Sequence, residues 1–74
     1  MLLSELHKGD SATIKNIYAK GDLKHRLFSF GIYRGATILV DEFSLTKSTL
    51  KIIVGNTMTA LRLEEAEKIE VEKL

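Results

Sequence analysis

The sequence predicts a mostly β domain: a small, partly open barrel carrying one short helix. Three observations point there. Five short segments place apolar residues at period two or in brief apolar runs, the patterns of half-buried and buried strands. One segment, residues 22–30, changes to helical spacing. The connections are brief and marked by five glycines and polar residues, with no proline, linker or repeat. A barrel lets a short chain enclose one core with few exposed edges. At 74 residues the chain reads as a single domain, 1–74. A domain of this size buries only about 60% of the surface its unfolded chain exposes, which leaves little room for a deep substrate cleft.

Leu3 and Leu6 anchor an opening segment that Gly9-Asp10 ends. Ser11 to Ala19 reads as a strand. Ala12 and Ile14 share a face and Ile17 is out of phase with them, so either both faces are partly covered or a bulge near Lys15-Asn16 shifts the register. In residues 22–30, Leu23, Leu27 and Phe30 fall at i, i+4 and i+7 and make one apolar helix face. Asp22 is the expected N-cap and Gly31 the left-handed residue that ends the helix. Two turns are too short to hold alone, so this face must pack on the sheet.

After a Tyr33-Arg34-Gly35 turn, Thr37 to Phe43 reads as a strand. Ser44 to Ser48 is a polar loop with one apolar residue, Leu45. Thr49 to Val54 places Leu50, Ile52 and Val54 on one face, and Gly55-Asn56 marks a tight hairpin. Thr57 to Leu63 is a fourth strand with Met58 and Leu61, and Glu64 to Lys68 suits one helical turn. Ile69 to Glu72 alternates apolar and acidic residues, as an edge strand protected by charge does.

Composition narrows the chemistry. Apolar residues make up 45% and charged residues 28%, a globular balance. Without cysteine there is no disulfide framework and no thiolate metal site. No basic leader precedes a long apolar run, so neither a secretion signal nor membrane insertion is expected. Charge is polarised along the chain: +3 over residues 1–40 and −2 over residues 41–74, for a net +1. That asymmetry suggests an oriented partner or self-association rather than a polyanion.

Catalytic residues are not apparent. His7 reads as a surface residue and His25 as a solvated helix residue, and no phosphate-binding glycine loop is present. The expectation is a binding protein, not an enzyme, with no resident cofactor and no assigned metal ligands. Glu64, Glu65, Glu67, Glu70 and Glu72 form an acidic face, suited at most to weak transition-metal or other divalent binding. Lys20, Lys24, Arg26 and Arg34 with Phe28 and Tyr33 would make a small platform for single-stranded nucleic acid. The low net charge and the acidic C-terminal segment count against it, so no nucleic-acid partner is expected.

The ordered motifs resemble one family. Leu3-Ser4-Glu5-Leu6 before Gly9, Ala12-Thr13-Ile14, Arg26-Leu27-Phe28-Ser29-Phe30-Gly31-Ile32 and Arg34-Gly35-Ala36-Thr37-Ile38 are similar to successive segments of FeoA, the small cytoplasmic protein of bacterial ferrous-iron uptake. Gly55, Thr59-Ala60-Leu61-Arg62, Glu65-Ala66 and Ile69 to Val71 continue the likeness to the end of the chain. Departures lie mainly in turns: Arg34 stands where the family has Pro, Phe30 where it has Leu, and the Ser44–Ser48 loop lacks its Gly and Pro. The resemblance implies an SH3-like barrel of five to six strands. It implies a cytoplasmic, non-enzymatic accessory that docks on the cytoplasmic part of FeoB, the membrane Fe(II) transporter with a GTPase domain.

The physical handle for docking would be apolar and basic residues outside the core. Phe28 lies off the buried helix stripe and Leu45 is stranded in a polar loop. With Lys24, Arg26 and Arg34 they are the candidate partner-binding residues. Two other readings compete: a transition-metal-binding sensor, which anaerobic Fe(II) calorimetry tests, and a single-strand-binding barrel, which a salt-dependent gel shift tests.

Overall fold

The computed structural model describes every residue from Met1 to Leu74. A 3-10 turn, Leu3–Glu5, precedes β1 (Ser11–Ile17), helix α1 (Gly21–Ser29), β2 (Thr37–Phe43), β3 (Thr49–Val54) and β4 (Thr57–Arg62). A single helical turn, α2 (Leu63–Ala66), then leads into β5 (Ile69–Lys73). All five strands join one antiparallel sheet in the order β4-β3-β2-β1-β5. The mostly β class, the five strands and the edge position of β5 agree with the sequence reading.

Alternation builds the core. Ala12 and Ile14, Ile38 and Val40, Leu50 and Ile52, Thr59 and Leu61, and Ile69 and Val71 all point inward and are buried. Residues from the outermost strands, Leu61 of β4 and Ile69 and Val71 of β5, share one cluster of 15 buried side chains. The sheet therefore curls around that cluster rather than lying flat. Two bulges supply the bend. β1 pairs Ile14 with Val71 and then Asn16 with Glu70, leaving Lys15 as the extra residue. β2 pairs Val40 with Ile52 and then Glu42 with Lys51, leaving Asp41 as its counterpart. The Ile17 phase slip thus has its cause in a bulge at Lys15.

β4 and β5 do not pair with each other, so the barrel stays open, and α2 links them. The chain's first residues cover the outer edge of β5. Leu2 bridges Glu70, and the Val71 amide donates to the Met1 carbonyl at 2.7 Å. Asp10 ties this end together: its carboxylate accepts the His7 amide at 2.8 Å and lies 3.5 Å from the Lys73 ammonium.

Helix α1 is held by its middle and its end. Leu27 is fully buried, while Leu23 and Phe30 pack partly buried against the same core. At the C-terminus the Gly31 amide donates to the Phe28 carbonyl and the Ile32 amide to the Leu27 carbonyl, both at 3.0 Å. That is a Schellman motif, with Gly31 left-handed at φ 86° and Ile32 fully buried beside Leu27 in the core cluster.

Several boundaries differ from the sequence reading: α1 spans Gly21–Ser29 rather than 22–30, α2 Leu63–Ala66 rather than Glu64–Lys68, and β5 runs to Lys73 rather than Glu72. Lys20, not Asp22, occupies the N-cap, because Gly21 opens the helix in a left-handed conformation (φ 59°). Asp22 lies within the first turn and makes no capping bond, though its charge there still suits the helix dipole. β1 ends at Ile17 rather than Ala19. β4 ends at Arg62 rather than Leu63, because the Glu65 carboxylate accepts the Arg62 amide at 2.9 Å and starts α2 at Leu63.

Backbone conformation and burial set the expected stability changes. Leu27→Ala lowers stability by about 2–5 kcal/mol, as core truncations do. Gly31→Ala places a side chain in the left-handed region and a Cβ 3.4 Å from Val54 Cγ1, and costs about 1–2 kcal/mol or more. Lys47 also holds a left-handed conformation (φ 58°) in a loop without glycine, so Lys47→Gly stabilises by up to about 1 kcal/mol. Urea denaturation of the three variants checks all of these.

Two side chains shape the pH limits. The His7 amide, opposed in part by desolvation and helped by the Lys73 ammonium, holds the Asp10 carboxyl below its ordinary 3.8. Its contribution is complete above that value and is lost as acid titrates the folded-state group. The Tyr18 hydroxyl donates to Glu70 at 2.6 Å, which raises the phenol above its ordinary 10.0. That contribution is complete below pH 10 and is lost as rising pH ionises the folded-state phenol. Thermal melts across pH will show Asp10→Asn flattening the acid limb alone and Tyr18→Phe the alkaline limb alone.

Candidate functional site

Seating Leu27 in the core turns the opposite face of α1 outward. Lys24 and Phe28, four residues apart, lie together on that face with His25 beside them. The Schellman turn then brings Tyr33 and Arg34 back along the same side. The β1 bulge sends Asn16 and Ile17 to the near wall, and Ile32 closes the floor. These residues enclose an open groove of about 530 Å³.

Two aromatics stand at its mouth. Phe28 is 67% exposed and Tyr33 48% exposed, and their ring centroids lie 5.8 Å apart at an interplanar angle of 47°. A tilted pair at this spacing holds both rings in place, worth about 0.5–1.5 kcal/mol beyond burial. Lys24, His25 and Arg34 flank the rings, and the groove lining contains no carboxylate. The result is a cationic, aromatic recess suited to an anionic, partly apolar partner.

Of the candidate partner-binding residues, the structure brings together Lys24, Phe28 and Arg34. Arg26 faces elsewhere. Its guanidinium pairs with Glu65, whose other carboxylate oxygen accepts the Arg62 amide, so the pair clamps α1 to the start of α2. Leu45 is fully exposed at the β2–β3 loop and lines a separate recess with Glu42, Phe43 and Lys51. The Ser44 hydroxyl accepts the Ser48 and Thr49 amides at 3.1 Å, which closes this loop on itself and leaves Leu45 outside. His25, Asn16 and Ile17 join the groove without having been singled out for it. The helical spacing of His25 to Phe28, i to i+3, carried that signal for His25.

A broader trough of about 830 Å³ runs past Phe30, Gly31, Ile53 and Val54, and no charged side chain lines it. The side chain of His7 is 87% exposed, with Nδ1 3.8 Å from Asp10. Nowhere do three His, Asp or Glu side chains converge as a ligand set.

Comparisons with known proteins bear on this geometry. The family model described as the FeoA domain matches residues 1–73. A Campylobacter jejuni chain assigned to Fe(2+) transport protein A is 37% identical over 71 residues, covering 96% of each chain. A Porphyromonas gingivalis fusion of Fe(2+) transport protein A with the Fe(2+) transporter FeoB is 36% identical over 72 residues. That match covers 97% of this chain and 8% of the fusion. The crystal structure of Stenotrophomonas maltophilia FeoA in complex with zinc, a prokaryotic SH3 domain protein, superposes with a TM-score of 0.83 at 29% identity. The superposition covers 97% of this chain and 89% of that one.

The exposure of Phe28 predicts its energetics. Phe28→Ala changes stability by about 1 kcal/mol or less, as a surface substitution should. A loss of about 3–5 kcal/mol, the cost of truncating a buried Phe, would place the ring in the core. Arg26→Ala lowers stability by about 1 kcal/mol through the lost clamp on α2. Thermal denaturation at neutral pH measures both.

Proposed function

The chain belongs to the FeoA family of ferrous iron transport, and from that premise we propose that it acts by binding rather than catalysis, docking on the cytoplasmic part of a FeoB transporter. The observation that carries this reading is the α1 groove: an exposed Phe28–Tyr33 pair ringed by Lys24, His25 and Arg34, with no acid in the lining. Aromatic anchors beside arginine are the side chains that dominate interface energetics. A positive rim speeds encounter with an acidic partner. The fusion relative supports the pairing, because a covalent link between the two proteins keeps them at high effective concentration.

Docking here needs little rearrangement. The groove residues hang on a helix fixed by Leu27 and by the Schellman turn, so few side chains lose freedom on binding. Arg26 pairs with Glu65 and holds α1 against the start of α2.

Titration of the protein against the soluble cytoplasmic domain of its cognate FeoB, by biolayer interferometry, tests the reading. Phe28→Ala and Arg34→Glu are each expected to weaken binding at least about tenfold. Leu45→Ser, on a separate recess, is expected to bind as wild type does. Equal affinity for wild type, Phe28→Ala and Arg34→Glu would remove the groove as the docking site.

A further inference from the structure

The two outer strands of the sheet are treated differently. Met1 and Leu2 cover the outer edge of β5, which also carries Glu70, Glu72 and Lys73. β4 has no such cover. It runs for six residues, Thr57–Arg62, with no proline, no bulge against β3, and one charge, Arg62, at its end. Exposed edges of this kind are templates for further strand pairing unless they are blunted.

The register identifies the free groups. The Gly55-Asn56 hairpin joins Val54 to Thr57, and a two-residue hairpin closes on a hydrogen-bonded pair. Thr57, Thr59 and Leu61 therefore turn their amides and carbonyls toward β3, and the Leu63 amide continues this alternation by donating to the Ser48 carbonyl at 2.9 Å. Met58, Ala60 and Arg62 turn theirs outward. Of these, the Arg62 amide is taken by Glu65. Met58 and Ala60 remain, each with one free donor and one free acceptor on the open edge.

We propose that this edge pairs with the same edge of a second copy, antiparallel about a twofold axis at Thr59. In that register Met58 lies opposite Ala60 of the second copy, and Ala60 opposite its Met58. Four hydrogen bonds then use every free donor and acceptor of Met58 and Ala60 on both chains. The side chains fit the same register. Met58, 55% exposed, lies over the small Ala60 of the other chain on the outer face. Thr59, 8% exposed, meets its symmetry mate on the core side, a favourable cross-strand pair. Each Arg62 falls opposite Asn56 rather than the other Arg62, so no like charges meet. This self-complementarity selects a second copy as the occupant, since a closed twofold interface requires a patch that matches itself. The interface lies apart from the α1 groove and is independent of the docking reading above.

Proline offers a clean test, because the Ala60 amide serves no bond within the chain and proline is tolerated on the solvent side of an edge strand. Sedimentation equilibrium of wild type up to millimolar concentration should show mass rising from 8.3 kDa toward twice that value. The Met58 and Ala60 amides should exchange more slowly as concentration rises. Ala60→Pro and Met58→Lys should each weaken association at least tenfold with circular dichroism unchanged. Should Ala60→Pro fail to fold, Met58→Lys decides. A wild type that stays at 8.3 kDa at millimolar concentration, or folded variants that associate as wild type does, would overturn the proposal.

Discussion

The seat of α1 on the curled sheet is the constraint on which the rest depends. A nine-residue helix does not hold its shape in water by itself. Here Leu27 sits in the core, and the amides of Gly31 and Ile32 satisfy carbonyls the helix would otherwise leave open. Ile32, fully buried, carries the chain from the helix end back into the same core. Once that face is down, Lys24, His25 and Phe28 have only the outer side to occupy. The Tyr33-Arg34 turn, fixed by the same capping residues, falls next to them. The recess follows from how the helix is held rather than from any flexible loop.

The sheet meets this need through its irregularities. The bulge at Lys15 bends β1 and at the same point brings Ile17 to the groove wall. The Asp41 bulge bends β2. The opening segment closes one side by pairing Met1 and Leu2 along β5, and Asp10 joins that segment to Lys73. The open side, β4, keeps the outer backbone groups of Met58 and Ala60 unpaired. A single fold thus presents two distinct surfaces: a charged recess on α1 and a neutral strand edge on β4.

Much of this was legible in the residues. The boundaries of β2 and β3 follow directly from their apolar alternation and the flanking glycines and serines. The bulge in β1 was visible as the phase slip of Ile17. Gly31 was legible as a helix end because a left-handed residue is needed there. The N-cap was not, because the local preference of Asp22 for capping lost to the freedom of Gly21 to begin the helix two residues before an Asp22 cap would. Within the site, Phe28 stood out by lying off the apolar stripe, and Lys24 and Arg34 by charge. The diversion of Arg26 was hidden, since its partner Glu65 lies 39 residues along the chain. The separation of Leu45 was equally hidden: a polar loop announces an exposed leucine but not the side of the barrel on which it emerges.

Membership of the FeoA family and the α1 groove are the two supports of the proposed docking role. That role needs α1 to be a rigid platform and not a fraying turn. Native-state hydrogen exchange at the Ile32 amide, which bonds the Leu27 carbonyl, measures this directly. The account predicts that Ile32 exchanges only through global unfolding, with the same opening free energy as the amide of Ile14 in β1, which bonds the Ala36 carbonyl just before β2. Exchange of Ile32 through a local opening, with Ile14 still protected, would contradict it.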